Sequence, residues 1–67
     1  MVEVQVNGAS ITLEDNTSVD SLIDSLGLSN KKIAIEINHQ IVSRSRYHSI
    51  TLKNEDKIEI VTVVGGG

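Results

Sequence analysis

Sixty-seven residues make one small domain, and the absence of Cys excludes disulfides, thiolate zinc sites and a cysteine nucleophile. Six Lys and Arg against nine Asp and Glu leave a net charge of −3, and Tyr47 is the sole aromatic residue, so no nucleic-acid or anionic-membrane ligand is expected. At 39% apolar and 22% charged, the composition is that of a globular domain standing on aliphatic burial and hydrogen bonds alone.

Val2-Glu3-Val4-Gln5-Val6 alternates with period two, and Ser10-Ile11-Thr12-Leu13 resumes the alternation. The Asn7-Gly8 pair between them predicts a type I′ hairpin, whose two central residues need positive φ. Glu14-Asp15-Asn16 reads as a polar loop. A helix is predicted to start at Thr17-Ser18, with Thr17 and Asp20 at capping-box spacing. Val19, Leu22, Ile23 and Leu26 form one apolar stripe, and Gly27 is placed for a left-handed cap with Leu28 folding back onto the last turn. Ile33-Ala34-Ile35-Glu36-Ile37 is the next predicted strand, Asn38-His39-Gln40 a turn and Ile41-Val42 a short strand. Ser43-Arg44-Ser45-Arg46-Tyr47-His48 is polar and irregular. Ile50 and Leu52 mark a brief strand before the turn Asn54-Glu55-Asp56, and the run from Lys57 to Val64 makes a long final strand ahead of Gly65-Gly66-Gly67.

These elements describe an α+β domain over residues 1–64: a mixed four- to five-stranded sheet with one main helix packed on one face, then a flexible C-terminal Gly tail at 65–67. The last strand is the most β-branched and is expected to be central and parallel to the first, because at an edge it would invite aggregation. The result is a β-grasp arrangement. No apolar run approaches the roughly 20 residues of a membrane span. Met1-Val2-Glu3-Val4-Gln5 has no charged segment leading an apolar one, so a soluble cytoplasmic protein is expected.

Catalytic constellations are missing: no phosphate-binding or dinucleotide glycine motif occurs, and no H-E-x-x-H. His39 and His48 have neither helical nor finger spacing for a metal. Glu55, Asp56 and Glu59 read as the solvated acids of a turn and a strand start. His48 beside Tyr47 reads as a loop histidine in preference to a proton relay, and Arg44 and Arg46 are too few to define an anion site. Asn16-Thr17-Ser18 matches a glycosylation pattern that carries no weight without a secretory signal.

Two features remain. Three residues without Cβ at the end of the sequence can enter a narrow channel in extended form and leave a carboxylate on a thin lead. In the last strand, Ile58, Ile60, Thr62 and Val64 share one face while Glu59, Val61 and Val63 share the other. That pattern reads either as a strand buried on both faces, the preferred reading, or as an apolar patch of Val61 and Val63 at the root of the tail where a partner docks.

The hairpin start, Thr17-Ser18-Val19 with Leu22-Ile23, Ile35-Glu36-Ile37-Asn38 leading to Ile41-Val42-Ser43-Arg44, and Asp56-Lys57-Ile58-Glu59-Ile60-Val61 ahead of Val64-Gly65-Gly66-Gly67 together resemble the ubiquitin-like sulfur carrier family, in its thiamin-biosynthesis branch. The resemblance spans the whole chain, and its final block is the most specific. It departs at Ser43, where members often have Pro, and at Glu55-Asp56, where they often have Gly-Asp. The resemblance implies a ubiquitin-like β-grasp that acts as a non-catalytic protein cosubstrate. An E1-like, ThiF-type adenylating enzyme would use ATP and Mg to activate the Gly67 carboxylate. A sulfurtransferase or cysteine desulfurase system would supply persulfide sulfur, and a ThiG-type thiazole synthase would receive it from the resulting thiocarboxylate. Gly67 is then the sulfur attachment point, Gly65, Gly66 and Gly67 thread into the partner, and Val61, Val63 and Val64 are expected to dock. The chain itself is expected to bind no cofactor or metal, to carry no catalytic residue and to be monomeric when free. The alternatives are a molybdopterin-synthase small-subunit-type carrier, a ubiquitin-like protein modifier, and a plain binding module whose glycines are incidental.

Overall fold

In the computed structural model, which describes residues 1–63, β1 (Val2–Val6) and β2 (Ala9–Leu13) pair antiparallel through a two-residue turn. Asn7 and Gly8 take φ of 51° and 87°, the mirror-image turn that matches strand twist. The expectations placed on Val64, Gly65, Gly66 and Gly67, the flexible tail among them, lie outside the described residues.

The helix α1 (Val19–Ser25) begins one residue later than the capping-box reading implies. Ser18 is the cap, its hydroxyl accepting the Ser21 N–H at 3.1 Å. Thr17 is held in the preceding loop instead: its hydroxyl donates to the Glu14 carbonyl at 2.7 Å, and its carbonyl accepts the Leu52 N–H at 2.8 Å. At the other end Gly27 takes φ 73°. Its N–H donates to the Asp24 carbonyl and that of Leu28 to the Ile23 carbonyl, both at 3.0 Å, closing a Schellman motif. Because the helix stops at Ser25, Leu26 becomes its cap residue and is 42% exposed, off the buried stripe of Val19, Leu22 and Ile23.

A second two-residue turn, Asn38 and His39 at φ 51° and 70°, joins β3 (Ile33–Ile37) to β4 (Gln40–Val42), so Gln40 belongs to the strand rather than to the turn. Arg44–Arg46 forms a single 3-10 turn. The strand predicted at Ile50 and Leu52 reduces to one isolated bridge, Ser18 to Thr51. The backbone there is already committed to the helix entry: the Ile50 carbonyl accepts the Val19 N–H, and the Leu52 N–H donates to Thr17. The following turn is fixed by the Asp56 carboxylate, which accepts the Lys53 N–H at 2.8 Å and the Asn38 amide at 3.0 Å.

The final strand, β5 (Lys57–Thr62), ends before Val63, which was expected to belong to it; Val64 lies outside the described residues. The sheet runs β2-β1-β5-β3-β4, with β5 parallel to β1 and antiparallel to β3. This is the expected β-grasp, with five strands and one α-helix among the described residues. The helix covers one face, where its own Val19 and Leu22 are fully buried together with Val4, Ile35, Leu52 and Ile58. Each such side chain contributes about 1.5–3 kcal/mol of burial, which a domain this small needs in full. Tyr47, expected in a polar irregular segment, joins that core.

Both departures from the family pattern fall at backbone angles that suit the missing residue. Ser43 has φ −74°, follows a strand residue and donates no backbone hydrogen bond among the described residues, all of which proline accepts. Glu55 has φ 71°, where glycine is at ease. Ser43→Pro is therefore expected to add about 0.4–1 kcal/mol and Glu55→Gly about 0.5–1 kcal/mol. Thermal melts should rise by a few degrees for each, and a fall would contradict the backbone assignment.

Candidate functional site

The root of the tail is the point where β5 leaves the sheet. On one side Thr62 pairs with Ile33, and the Val63 N–H donates to the Lys32 carbonyl at 2.8 Å. On the other side β1 has already turned away into its hairpin, leaving the Ile60 backbone without a strand neighbour. The Asn7 side chain takes that place: its Oδ1 accepts the Ile60 N–H at 2.8 Å and its Nδ2 donates to the Ile60 carbonyl at 3.1 Å. The amide thus extends the β1–β5 ladder by one more rung. The strand is clamped on both edges close to its end, which gives the following residues a fixed point of departure.

Ile58 and Ile60 face the helix and are buried, whereas Val61 is 61% and Val63 49% exposed. The reading of a last strand buried on both faces is therefore corrected. A single helix covers a single face, and alternation sends Val61 and Val63 to the other. They have company there. Val61 lies opposite Ala34, Glu36 lies opposite Ile41, and Ile41 is 79% exposed. Exposed apolar side chains thus run diagonally across the open face from Ile41 through Ala34 to Val61, a broken strip with Glu36 set between Ile41 and β5. Sequence reasoning missed Ile41, because a three-residue strand has too little alternation to say which of two adjacent apolar residues points outward.

Beside the strip, Glu36, Glu59 and His39 bring ligand atoms within 4.8 Å of one another. Glu36 and Glu59 are direct cross-strand partners, a like-charge juxtaposition that a cation or a protonated imidazole would relieve. These three groups could hold a metal ion, although surface acids commonly cluster without one. The sequence reading expected no metal, and the juxtaposition depends on a register that periodicity does not give. Asp56 serves its turn, Tyr47 is core, and no hydrogen bond joins Tyr47 to His48 among the described residues. Gly65, Gly66, Gly67 and Val64 lie outside the described residues. Among the described residues, no helix is long and apolar enough to cross a membrane.

The exposed and clamping roles separate in mutants. Val63→Asp is expected to change stability by less than about 1 kcal/mol, since the side chain is half in water. Asn7→Ala should cost about 1–3 kcal/mol by removing both bonds to Ile60 and a residue tolerant of positive φ. Amide hydrogen exchange checks this directly: Ile60 should exchange faster than Ile35 in Asn7→Ala, and equal acceleration of both would show that Asn7 only stabilises the domain globally.

Comparison with known proteins places this arrangement. The ThiS family model matches residues 4–67. The chain is 38% identical over 65 residues to the sulfur carrier protein ThiS of Bacillus subtilis, covering 96% of this chain and 98% of that protein. It is 35% identical over 66 residues to a thiazole synthase of Magnetococcus marinus, covering 98% of this chain but only 20% of that much longer protein. The crystal structure of the thiamine biosynthesis protein ThiS from Geobacter metallireducens matches with a TM-score of 0.83 at 25% identity, covering 98% of this chain and 100% of that one.

Proposed function

The chain belongs to the ThiS family, and from that premise we propose that it is a sulfur carrier of thiamin biosynthesis whose Gly67 carboxylate is the working group. The observation that carries this reading is the family match running through residue 67, across the three glycines, over a domain whose last strand is clamped at its exit. A carboxylate is a poor electrophile because its charge is delocalised. An E1-like adenylating partner, using ATP and Mg that it binds itself, converts it to an acyl-adenylate with AMP as leaving group. A persulfide sulfur from a sulfurtransferase or cysteine desulfurase system displaces AMP, and thiol cleavage of the resulting acyl disulfide leaves a C-terminal thiocarboxylate.

This chain's own contribution is geometric. Gly65, Gly66 and Gly67 present no side chain to obstruct a narrow channel. Val61 and Val63, exposed at the tail root, supply an apolar footing for the partner, with Val64 as their continuation in the sequence. The role is that of a protein cosubstrate, not of an enzyme. A thiazole synthase as sulfur acceptor is supported by relatives bearing that name in which a segment like this whole chain occupies one fifth of the length.

Intact-mass spectrometry before and after incubation with ATP, the adenylating enzyme and a sulfur donor tests the reading. The expected result is a gain equal to one oxygen exchanged for sulfur, mapped to Gly67. A mass unchanged while the same enzyme activates another carrier would overturn it. Deleting Gly66 and Gly67 should leave the melting temperature unchanged and abolish activation, whereas a truncated chain that still accepts sulfur would place the working group elsewhere. Val63→Asp should raise KM for the carrier in adenylation by more than its small effect on stability explains.

A further inference from the structure

On the helix-bearing side of the domain, away from the apolar strip, a cleft of about 160 Å³ opens between α1, the segment leading into β3, and the 3-10 turn. Lys31, Arg44 and His48 line it, with Asp20 as the acidic member and Ile23 among the apolar ones. Tyr47 lines it too, although that residue is only 8% exposed. Among the described residues the Tyr47 hydroxyl has no hydrogen-bond partner, yet no fully enclosed side-chain oxygen or nitrogen is left unpaired. The hydroxyl therefore reaches solvent through this cleft and stands ready to donate. Lys31 and Arg44 are likewise outside any ion pair among the described residues.

Two unpaired cations and a free hydroxyl against one carboxylate make this an anion-accepting spot on a chain whose net charge is −3. Its volume is below the roughly 300–1,000 Å³ of sites that enclose whole small molecules. A carboxylate at the end of a short aliphatic stem fits: the guanidinium fork and the hydroxyl take the oxygens, and the apolar wall takes the stem. The cleft also adjoins the tail root. Ile33 in its wall pairs with Thr62, and the residue after Lys31 accepts the Val63 N–H.

We propose that this cleft receives an acidic side chain of the adenylating partner, a polar anchor that seats the carrier while the tail enters the active site. The proposal rests on the carrier reading above and adds a second, charge-based contact on the side of the sheet opposite Val61 and Val63. Such a contact acts mainly on encounter and positioning, so its loss should appear in KM and in salt dependence, not in kcat.

The test is steady-state adenylation by the partner enzyme, followed through pyrophosphate release, with Lys31→Glu/Arg44→Glu, Tyr47→Phe and the remote control Lys53→Glu. The double reversal should raise KM for the carrier at least about tenfold with kcat unchanged and with the salt dependence of KM largely gone. Tyr47→Phe should raise KM a few-fold at an unchanged melting temperature, and Lys53→Glu should behave as wild type. Equal KM for wild type and the double variant would overturn the cleft assignment and leave the carrier reading standing. Absence of adenylation in wild type would remove both. Inorganic phosphate that binds the cleft without competing with the partner would assign it to a free anion and overturn docking.

Discussion

One helix covers one face of a five-stranded sheet, and nearly everything else in the molecule follows from that shortage of cover. The apolar residues that meet α1 form the core; those on the other side stay wet whatever their hydrophobicity. β5 feels the constraint most. It sits in the middle of the sheet with neighbours on both edges, yet only Ile58 and Ile60 find a dry environment. Val61 and Val63 remain outside, on the face that also carries Ala34 and Ile41, so the end of β5 presents exposed apolar side chains. A larger domain could cover that face with a second helix and would then lose it as a contact surface.

The second recurring device is the asparagine side chain used as a piece of backbone. Asn7 supplies the rung that β1 cannot, and Asn38 does the equivalent at the other end of β5, accepting the Lys57 N–H at 3.0 Å and donating to Asp56. Both residues also sit at positive φ in tight turns, where asparagine tolerates what most residues do not. Each therefore makes a sharp reversal and a strand-like pairing from one position. This economy lets a short chain without disulfides satisfy the central strand on both sides.

Local chemistry made most of the fold legible beforehand. The Asn7-Gly8 hairpin, the Gly27 cap and the parallel placement of β5 beside β1 rest on short-range signals or on general topology, and all stand in the structure. The misreadings have a common origin. Thr17 looked like the cap because its competing bonds to Glu14 and Leu52 are tertiary or loop contacts. Ile50 and Leu52 looked like a strand because alternation cannot show that their backbone is spoken for by the helix entry. Tyr47 looked polar by association with its arginines. Of the candidate site, the exposure of Val61 and Val63 was one of two readings open in the sequence, but exposed Ile41, the Glu36–Glu59 juxtaposition and the cleft behind Tyr47 required the tertiary structure.

The clamping of β5 also has a mechanical meaning. A pull on Val63 along the strand acts at right angles to the hydrogen bonds that tie β5 to β1, β3 and the Asn7 amide. Bonds loaded in that direction share the force and yield together, whereas a strand peeled from an edge gives way one bond at a time. Tension applied at Val63 is therefore carried by the sheet as a whole, and the domain behind it holds where an edge strand would peel.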